Sequence, residues 1–430
     1  MRQRSFLCFV VIGWLAACGR GVQSPSRATG PVSAVVAPKG PRALRDVTFE
    51  RTPARLARGR YLVEGVLQCF MCHSDRDWSK PGAPPMAGRE GAGHVFENAP
   101  WLVAPNITPD RETGAGTWTD DMFARAIREG FGHDGRVLHP QMWYDAFRHL
   151  SDEDLASVIV YLRSLPPVRH ALPATKLPAG HPPLMDPVPL TGPVAPSDQS
   201  TAIARGRYLV RIADCMGCHT AFEAPLVPGL FAGGNPIMSP GRPVRFSANL
   251  TRAPSGIGSC YTPELFRDVL RTGHLKGRAI DPAMPWIVFG RMTDRDLDDV
   301  FAYLQSRRPV DHLVSNTDPP TMCPVCGQKH GLGDRNKPKI RATVDVDTTH
   351  FAEYAGDYLY DDGLLMSIFA ERNRVLLQYQ HVGPKIPLTA ISQTEFTAQE
   401  IPDVITFVRD RAGRVTGMLT NVDDLGVRIR

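Results

Sequence analysis

The chain has 430 residues, a length that predicts roughly two to four domains of ordinary size rather than one core. Hydrophobic residues make up 43% and charged residues 22%, which excludes a wholly disordered chain, while 39 Pro and 38 Gly indicate many loops. The formal charge of +5 is not gathered into a dense basic run with interleaved aromatic residues. This pattern excludes nucleic acid as the expected partner.

Residues 1–17 have the pattern of a signal peptide. Two arginines precede an apolar stretch that is too short to span a bilayer as a mature helix. The sequence Leu15-Ala16-Ala17-Cys18-Gly19 resembles the lipobox of bacterial lipoproteins, which predicts lipidation of Cys18, although a plain signal peptide with an incidental Cys18 is the alternative. We therefore expect export, with attachment to a membrane on its periplasmic side. Residues 18–50, rich in Ser, Pro and Ala, predict a flexible tether.

Two segments of the chain repeat each other. Residues 57–63 recur unchanged at 204–210, and the matches continue in the same order through Cys69-x-x-Cys72-His73 with Cys215-x-x-Cys218-His219, Asn106-Ile107-Thr108 with Asn249-Leu250-Thr251, and Pro140-x-Met142 with Pro282-x-Met284. The same order of motifs, at an offset of 142 to 147 residues, predicts two copies of one domain. We place them at 51–170 and 200–312, joined by a Pro-rich linker at 171–199.

Each copy is predicted to be mostly helical. Apolar residues at i, i+3 and i+4 predict helices at 120–128 and 263–271. Ser151 and Thr293 suit the N-cap of the last helix in each copy, and prolines from position 166 and at 309 follow the expected ends of these helices. Gly59 and Gly206, in the first helix of each copy, are expected to permit a close helix contact.

The C-terminal part changes character. Residues 313–342 form a connector with a third Cys pair, Cys323 and Cys326. From 343 to 430, short apolar alternations separated by turn signals predict a small antiparallel β domain, a barrel or a sandwich. Its clearest strands are expected at 364–370, 375–380, 404–409 and 415–420. We expect this domain to serve in binding or docking.

Cys-x-x-Cys-His is the attachment pattern of c-type haem, in which two thioether bonds hold the porphyrin and the histidine binds the iron. Composition alone predicts ~0.006 such patterns in the chain, against two at matching repeat positions. We therefore expect two haem c groups, one on Cys69, Cys72 and His73 and the other on Cys215, Cys218 and His219. A redox-active or zinc-binding Cys pair beside an unrelated His is the alternative.

The second axial ligand of each iron should occur in both copies. Met142 and Met284 meet this condition, each two residues after a Pro, and a thioether sulfur favours reduced iron. Core filling is the alternative for these methionines, and His139 competes with Met142 in the first copy only. Met71 and Met216 lie within the attachment loops and are expected to be packing residues.

With these motifs, 51–170 and 200–312 resemble class I cytochrome c domains, particularly those of the cytochrome subunits of bacterial membrane dehydrogenases. The resemblance implies an all-helical fold around each haem with His/Met ligation. Such subunits commonly carry three haems, whereas this chain has two attachment motifs. The third Cys pair has Gly327 where a haem site needs His, so Cys323 and Cys326 are expected to form a disulfide or, with His330, a zinc site. Cys260 is a buried free thiol or completes a metal site with that pair.

Electron transfer is the function that these features predict. The partners would be a dehydrogenase as donor and a cytochrome or oxidase as acceptor. A dihaem enzyme such as a cytochrome c peroxidase is an alternative, but it needs one iron with an open or displaceable position, and both copies retain a Met candidate. A further alternative is a docking subunit that connects a dehydrogenase to the electron-transport chain of the membrane. We expect an electron carrier and no catalytic residues.

Overall fold

A computed structural model describes residues 40–181, 183–184, 187, 190, 192–220, 230–275, 277–316, 321–322, 329–330, 344–360, 365–379, 385–398, 401–420 and 424–429. Cys18 and the predicted signal peptide lie outside these residues, as do Cys323 and Cys326. In the part of the chain that is described, none of the helices combines the length and the apolar character needed to cross a bilayer.

Helices dominate both sequence repeats. In chain order the helices are α1 (Pro53–Gly65), α2 (Cys69–Cys72), α3 (Asp120–Glu129), α4 (Tyr144–Phe147), α5 (Asp152–Leu162), α6 (Ala202–Ile212), α7 (Cys215–His219), α8 (Pro263–Thr272), α9 (Trp286–Phe289), α10 (Asp294–Ser306) and α11 (Phe351–Tyr354). The first five repeat as the second five, so the duplication seen in the sequence is a duplication of helices. Short hairpins complete the repeats, formed by β1 (His94–Val95) with β2 (Val103–Ala104), β3 (Pro236–Ile237) with β4 (Arg245–Phe246), and β5 (His274–Leu275) with β6 (Arg278–Ala279).

The last helix of each repeat begins and ends where the sequence predicts. The Ser151 hydroxyl accepts a hydrogen bond from the backbone N–H of Asp154 at 3.1 Å, and Thr293 does the same for Asp296 at 3.1 Å. These caps satisfy backbone donors that a helix start leaves free. The helices then end a few residues before the prolines.

Within each repeat the first helix packs on the last, α1 on α5 and α6 on α10. A Cβ atom built on Gly59 would lie 1.9 Å from the carbonyl oxygen of Ser157, and one on Gly206 would lie 1.9 Å from that of Asp299. Glycine is therefore required at both crossings, because any side chain would overlap the backbone of the partner helix. Leucine, isoleucine and valine side chains beside these crossings join one apolar core that includes residues of both repeats.

The two repeats contact each other through the same residues in both directions. The Tyr208 hydroxyl donates to the Asp154 carboxylate at 2.6 Å and accepts from the backbone N–H of Ser151 at 3.3 Å. Reciprocally, the Tyr61 hydroxyl donates to Asp296 and accepts from the N–H of Thr293. Each tyrosine of the repeated seven-residue segment thus binds the start of the last helix in the other repeat.

The C-terminal domain is a closed eight-stranded antiparallel barrel rather than a sandwich. Before it lies a two-stranded pairing of β7 (Thr321–Met322) with β8 (Lys329–His330). The barrel strands are β9 (Gly356–Leu359), β10 (Leu365–Glu371), β11 (Arg374–Tyr379), β12 (Ile386–Ala390), β13 (Glu395–Ala398), β14 (Ile401–Arg409), β15 (Val415–Thr420) and β16 (Asp424–Arg428). Each strand pairs with its sequence neighbour, and β16 pairs with β9 to close the barrel. An aromatic cluster that includes Tyr354, Phe396 and Phe407 fills its interior.

Candidate haem-binding sites

The Cys-x-x-Cys-His segments form short helices at equivalent places in the two repeats. α2 carries Cys69 and Cys72, with His73 directly after it, and α7 carries Cys215, Cys218 and His219. The residue before each helix adopts left-handed backbone angles, with φ of 58° at Gln68 and 51° at Asp214. This sharp turn separates each attachment helix from the longer helix before it, α1 or α6.

Both histidines are buried and held by a backbone acceptor. Nδ1 of His73 lies 2.8 Å from the carbonyl oxygen of Pro105, and Nδ1 of His219 lies 2.7 Å from that of Ala248. A carbonyl oxygen can only accept, so Nδ1 carries the proton and Nε2 keeps its lone pair. Burial lowers the pKa of both imidazoles and keeps them neutral. Each histidine is therefore in the form that binds a metal through Nε2.

The repeated Asn-x-Thr motif holds these acceptor carbonyls in place. The Asn249 Oδ1 accepts from the N–H and hydroxyl of Thr251 at 2.9 and 2.8 Å, and its Nδ2 donates to the Val310 carbonyl at 2.7 Å. Asn106 makes the same bonds to Thr108 and to Val168. The residue before each Asn supplies the carbonyl that binds the histidine. The sequence shows this motif as a repeat, but its residue types alone indicate no role.

A cavity of about 1220 Å³ in the second repeat brings the predicted haem residues together. Cys215, Cys218, His219 and Met284 all line it, although Met284 lies far along the chain from the attachment segment. Its walls are largely apolar, with Leu250, Phe266, Leu270, Phe289 and Met292 among the lining residues. These residues supply two thiols, one imidazole and one thioether in an apolar cavity. This donor set fits a planar apolar group that is attached through the two thiols and carries a metal bound by the other two side chains.

In the first repeat, Met142 ends a short 3₁₀ helix, Pro140–Met142. It is half-buried and packs against the core that Cys69 also contacts, as Met284 and Cys215 do in the second repeat. His139 caps the same 3₁₀ helix, where its Nδ1 accepts from the N–H of Gln141 at 3.2 Å, and its ring packs against Trp101 and His181. The repeat therefore favours Met142 over His139 as the axial ligand.

The four attachment cysteines are free thiols. Burial raises the pKa of Cys69 and of Cys215 to about 12, so both remain protonated at neutral pH. A reactive redox pair needs a lowered thiol pKa instead. These thiols therefore lack the electrostatic surroundings of a reactive redox pair.

Two predictions about sulfur-containing residues need correction. Cys260 is exposed rather than buried, and its Sγ donates to the backbone carbonyl of Ile257. Met71 packs in the core as predicted, but Met216 is 37% exposed, because α7 has its central residues at the surface. Met216 is therefore not part of the apolar core in which Met71 lies.

Residues next to the first candidate site contact the second repeat. The Gln68 side chain, next to Cys69, donates to the Ala213 carbonyl at 2.8 Å, and Arg76 donates to the Pro282 carbonyl at 2.9 Å. Trp143, directly after Met142, lines the cavity of the second repeat. Residues adjoining the first site are thus part of the wall of the second.

Comparison with known proteins gives relatives that carry this pattern. The chain is 32% identical over 270 residues to a nicotinate dehydrogenase subunit of Pseudomonas putida, covering 59% of this chain and 21% of that protein. It is 32% identical over 293 residues to the fructose dehydrogenase cytochrome subunit of Gluconobacter japonicus, covering 60% and 54%. It is 30% identical over 168 residues to a diheme cytochrome c-type protein of Cereibacter sphaeroides, covering 35% and 53%.

The chain is homologous to cytochrome c subunits of bacterial dehydrogenases. This confirms the resemblance predicted from the sequence. The chain spans 21% and 54% of the first two relatives named above, so the match covers only part of each. No protein-family model matches the chain.

Proposed function

We propose that this chain is an exported electron carrier with two covalent haem c groups, each in a class I cytochrome c domain. The domains would span 51–170 and 200–312, with the linker 171–199 between them and the barrel after the connector 313–342. The carrying observation is that both repeats place a buried, Nδ1-protonated histidine beside two free thiols. The dihaem relative supports a count of two.

The residues at each site would have different roles. Cys69 and Cys72, or Cys215 and Cys218, would attach the group, and His73 or His219 would bind the iron from one side. Met142 or Met284 would bind it from the other. When bound, haem c supplies an iron that alternates between the ferrous and ferric states. The apolar walls would shield the group from water, and the carbonyl acceptors keep the imidazole proton on Nδ1.

The donor is proposed to be a dehydrogenase and the acceptor a cytochrome or an oxidase. A dehydrogenase as donor is supported by the fructose dehydrogenase relative, which is a cytochrome subunit. The N-terminal pattern supports a periplasmic location with the lipidated Cys18 at a membrane surface. Of the predicted tether 18–50, only the part before residue 40 would let the protein move away from that surface, because Arg42, Arg45 and Phe49 are hydrogen-bonded to Asp120 or Asp121 of the first repeat. A permanent place in a dehydrogenase complex is compatible with the same sites.

Haem counting and redox titration of the purified full-length protein test this proposal. We expect two haems per chain, both low-spin and six-coordinate, with the absorption band of a Met-to-ferric-iron bond and no peroxidase activity. A single haem per chain would contradict the proposal. Peroxidase activity with a high-spin iron would favour the dihaem enzyme instead.

The barrel is proposed to dock a partner rather than to take part in electron transfer. It has its own apolar core and lies apart in sequence from the haem residues. A chain that ends at residue 342 should keep both haem spectra and lose recruitment of the physiological partner, measured by co-purification. Unchanged recruitment would count against a docking role.

A further inference from the structure

The cavity of the second repeat opens to solvent through a distinct set of residues. Most of its lining is buried or half-buried, but Met238, Arg242, Arg245 and Arg278 line it and are also exposed. Met238 is 65% exposed, an unusual value for a large apolar side chain. We call these residues the arginine mouth. A second protein can approach the cavity at these exposed residues.

The charges of the arginine mouth are available for a partner. Among the described residues, no carboxylate lies within ion-pair distance of Arg242, Arg245 or Arg278. Other arginines of the same repeat are paired, for example Arg205 with Asp299 at 2.6 Å and Arg271 with Asp294 at 2.7 Å. Arg245 is nevertheless fixed in position, because it donates to the Asn316 carbonyl at 2.8 Å.

The acidic groups that line the cavity do not neutralise this mouth. Asp281 is half-buried and accepts hydrogen bonds from the Ser239 hydroxyl and from the N–H of Ala283. Asp214 is also half-buried and accepts from the N–H of Gly217 at 3.2 Å. Every exposed charged residue of the cavity lining is therefore an arginine, among the described residues.

We propose that the arginine mouth is the docking surface for a redox protein whose own electron-transfer site is surrounded by carboxylates. The proposal rests on the proposed electron-transfer function. Guanidinium groups bind carboxylates in bidentate geometry, and unpaired charges at the rim accelerate encounter with an oppositely charged surface. An exposed apolar residue among charged ones matches the apolar centre and polar rim of protein interfaces. Met238 would form that centre.

An acidic cupredoxin, with carboxylates around its copper site, is a suitable probe. Its matched form has the same carboxylates changed to amides. The dissociation constant would be measured by calorimetry with the full-length, haem-loaded protein at low salt, and the second-order electron-transfer rate by stopped flow over a range of salt. The variant is Arg242→Gln/Arg245→Gln/Arg278→Gln. The control is Arg51→Gln/Arg111→Gln/Arg252→Gln, which removes the same charge from exposed positions of the two repeats that do not line the cavity.

For the wild type and the control we expect binding of the acidic cupredoxin and a rate that falls as salt rises, because salt screens charges beyond about 8 to 10 Å. The mouth variant should bind more weakly and react about tenfold or more slowly at low salt, with little salt dependence. Toward the amide form, all three proteins should behave alike.

Equal behaviour of the mouth variant and the control would overturn the proposal, as would an equal slowing toward both cupredoxin forms. The second result would indicate an altered haem potential rather than lost docking. Haem content and absorption spectra of each preparation are recorded first. A protein that lacks the second haem contradicts the proposed function itself, and this outcome is separate from a loaded protein that fails to discriminate between the cupredoxins.

Discussion

At the scale of single residues, the orientation of each haem-site histidine depends on a backbone carbonyl. The carbonyl oxygens of Pro105 and Ala248 accept a hydrogen bond from the Nδ1–H group of each histidine. This hydrogen bond orients the ring and increases the basicity of Nε2. The carbonyls in turn depend on the buried side chains of Asn106 and Asn249, which are 3% and 2% exposed. The sites are thus fixed by residues that would never touch the iron.

Replacing Asn249 tests this dependence. Asn249→Ala removes four hydrogen bonds, two from Thr251 and two to the carbonyls of Val310 and His312, and should cost about 2 to 3 kcal/mol of unfolding free energy. Denaturant unfolding of the holoprotein would measure it. Asn106→Ala should have a comparable effect in the first repeat, whereas Asn373→Ala on an exposed barrel turn should have almost none. If all three variants are equally stable, Asn106 and Asn249 do not hold the acceptor carbonyls in place.

Met284→Ala tests the axial assignment. The change should open the second iron to added imidazole and lower its potential, because thioether ligation favours ferrous iron. Redox titration and ligand-binding spectra would follow both effects. Met216→Ala, in the exposed centre of the attachment helix, should leave the potentials and spectra unchanged. If Met284→Ala behaves like Met216→Ala, another side chain binds the iron.

Most residues of the candidate sites could be predicted from side-chain patterns in the sequence. The backbone carbonyls that hold the histidines could not. The cysteines, histidines and methionines have side chains whose spacing repeats, and the second set lines one cavity. A carbonyl acceptor leaves no trace in residue identity, so Ala248 gave no signal of its own. The repeated Asn-x-Thr motif was the available indication. The exposure of Met216 depends on packing around the whole helix and could not follow from local sequence.

At the scale of elements, two glycines set the distance between the first and last helices of the repeats. Gly206→Ala would force a Cβ atom against the Asp299 carbonyl, so we expect a loss of about 3 kcal/mol or more as α6 and α10 separate. Thermal unfolding would measure the loss. Gly192→Ala is the control, since nothing lies within 4 Å of a Cβ atom at that position. A variant at Gly206 as stable as the control would show that the helices adjust freely.

Sequence patterns predicted only half of the barrel strands. The four predicted strands correspond to β10, β11, β14 and β15, with ends shifted by up to three residues. The other four were missed, and two of them have only four residues, β9 and β13. β12 contains Pro387, which lowers strand propensity, yet Pro387 lies opposite Leu376 in the sheet. Closure of the barrel overrides such weak local preferences.

At the scale of the whole molecule, the contact between the repeats depends on Tyr61 and Tyr208. Tyr61→Phe should cost about 2 kcal/mol, because Asp296 then loses the donor that the tyrosine supplies. Tyr208→Phe should cost less, about 1 kcal/mol, since Asp154 keeps its bidentate bond to Arg58. Chemical denaturation of each variant would give these values.

Tyr144→Phe is the control for both changes. Tyr144 is buried, and within the described part of the chain its hydroxyl makes no hydrogen bond. Its replacement should leave the stability within about 0.5 kcal/mol of the wild type. Losses at Tyr61 and Tyr208 no larger than this would mean that apolar packing alone joins the repeats.

The reciprocal tyrosine contacts have the form of an isologous interface, the arrangement found where two identical subunits meet on a two-fold axis. Here both partners belong to one polypeptide, so their association is intramolecular and does not weaken on dilution. A pair of separate one-haem proteins would fall apart at low abundance. The fused pair keeps its two candidate haem sites at a fixed separation even when a single molecule is present.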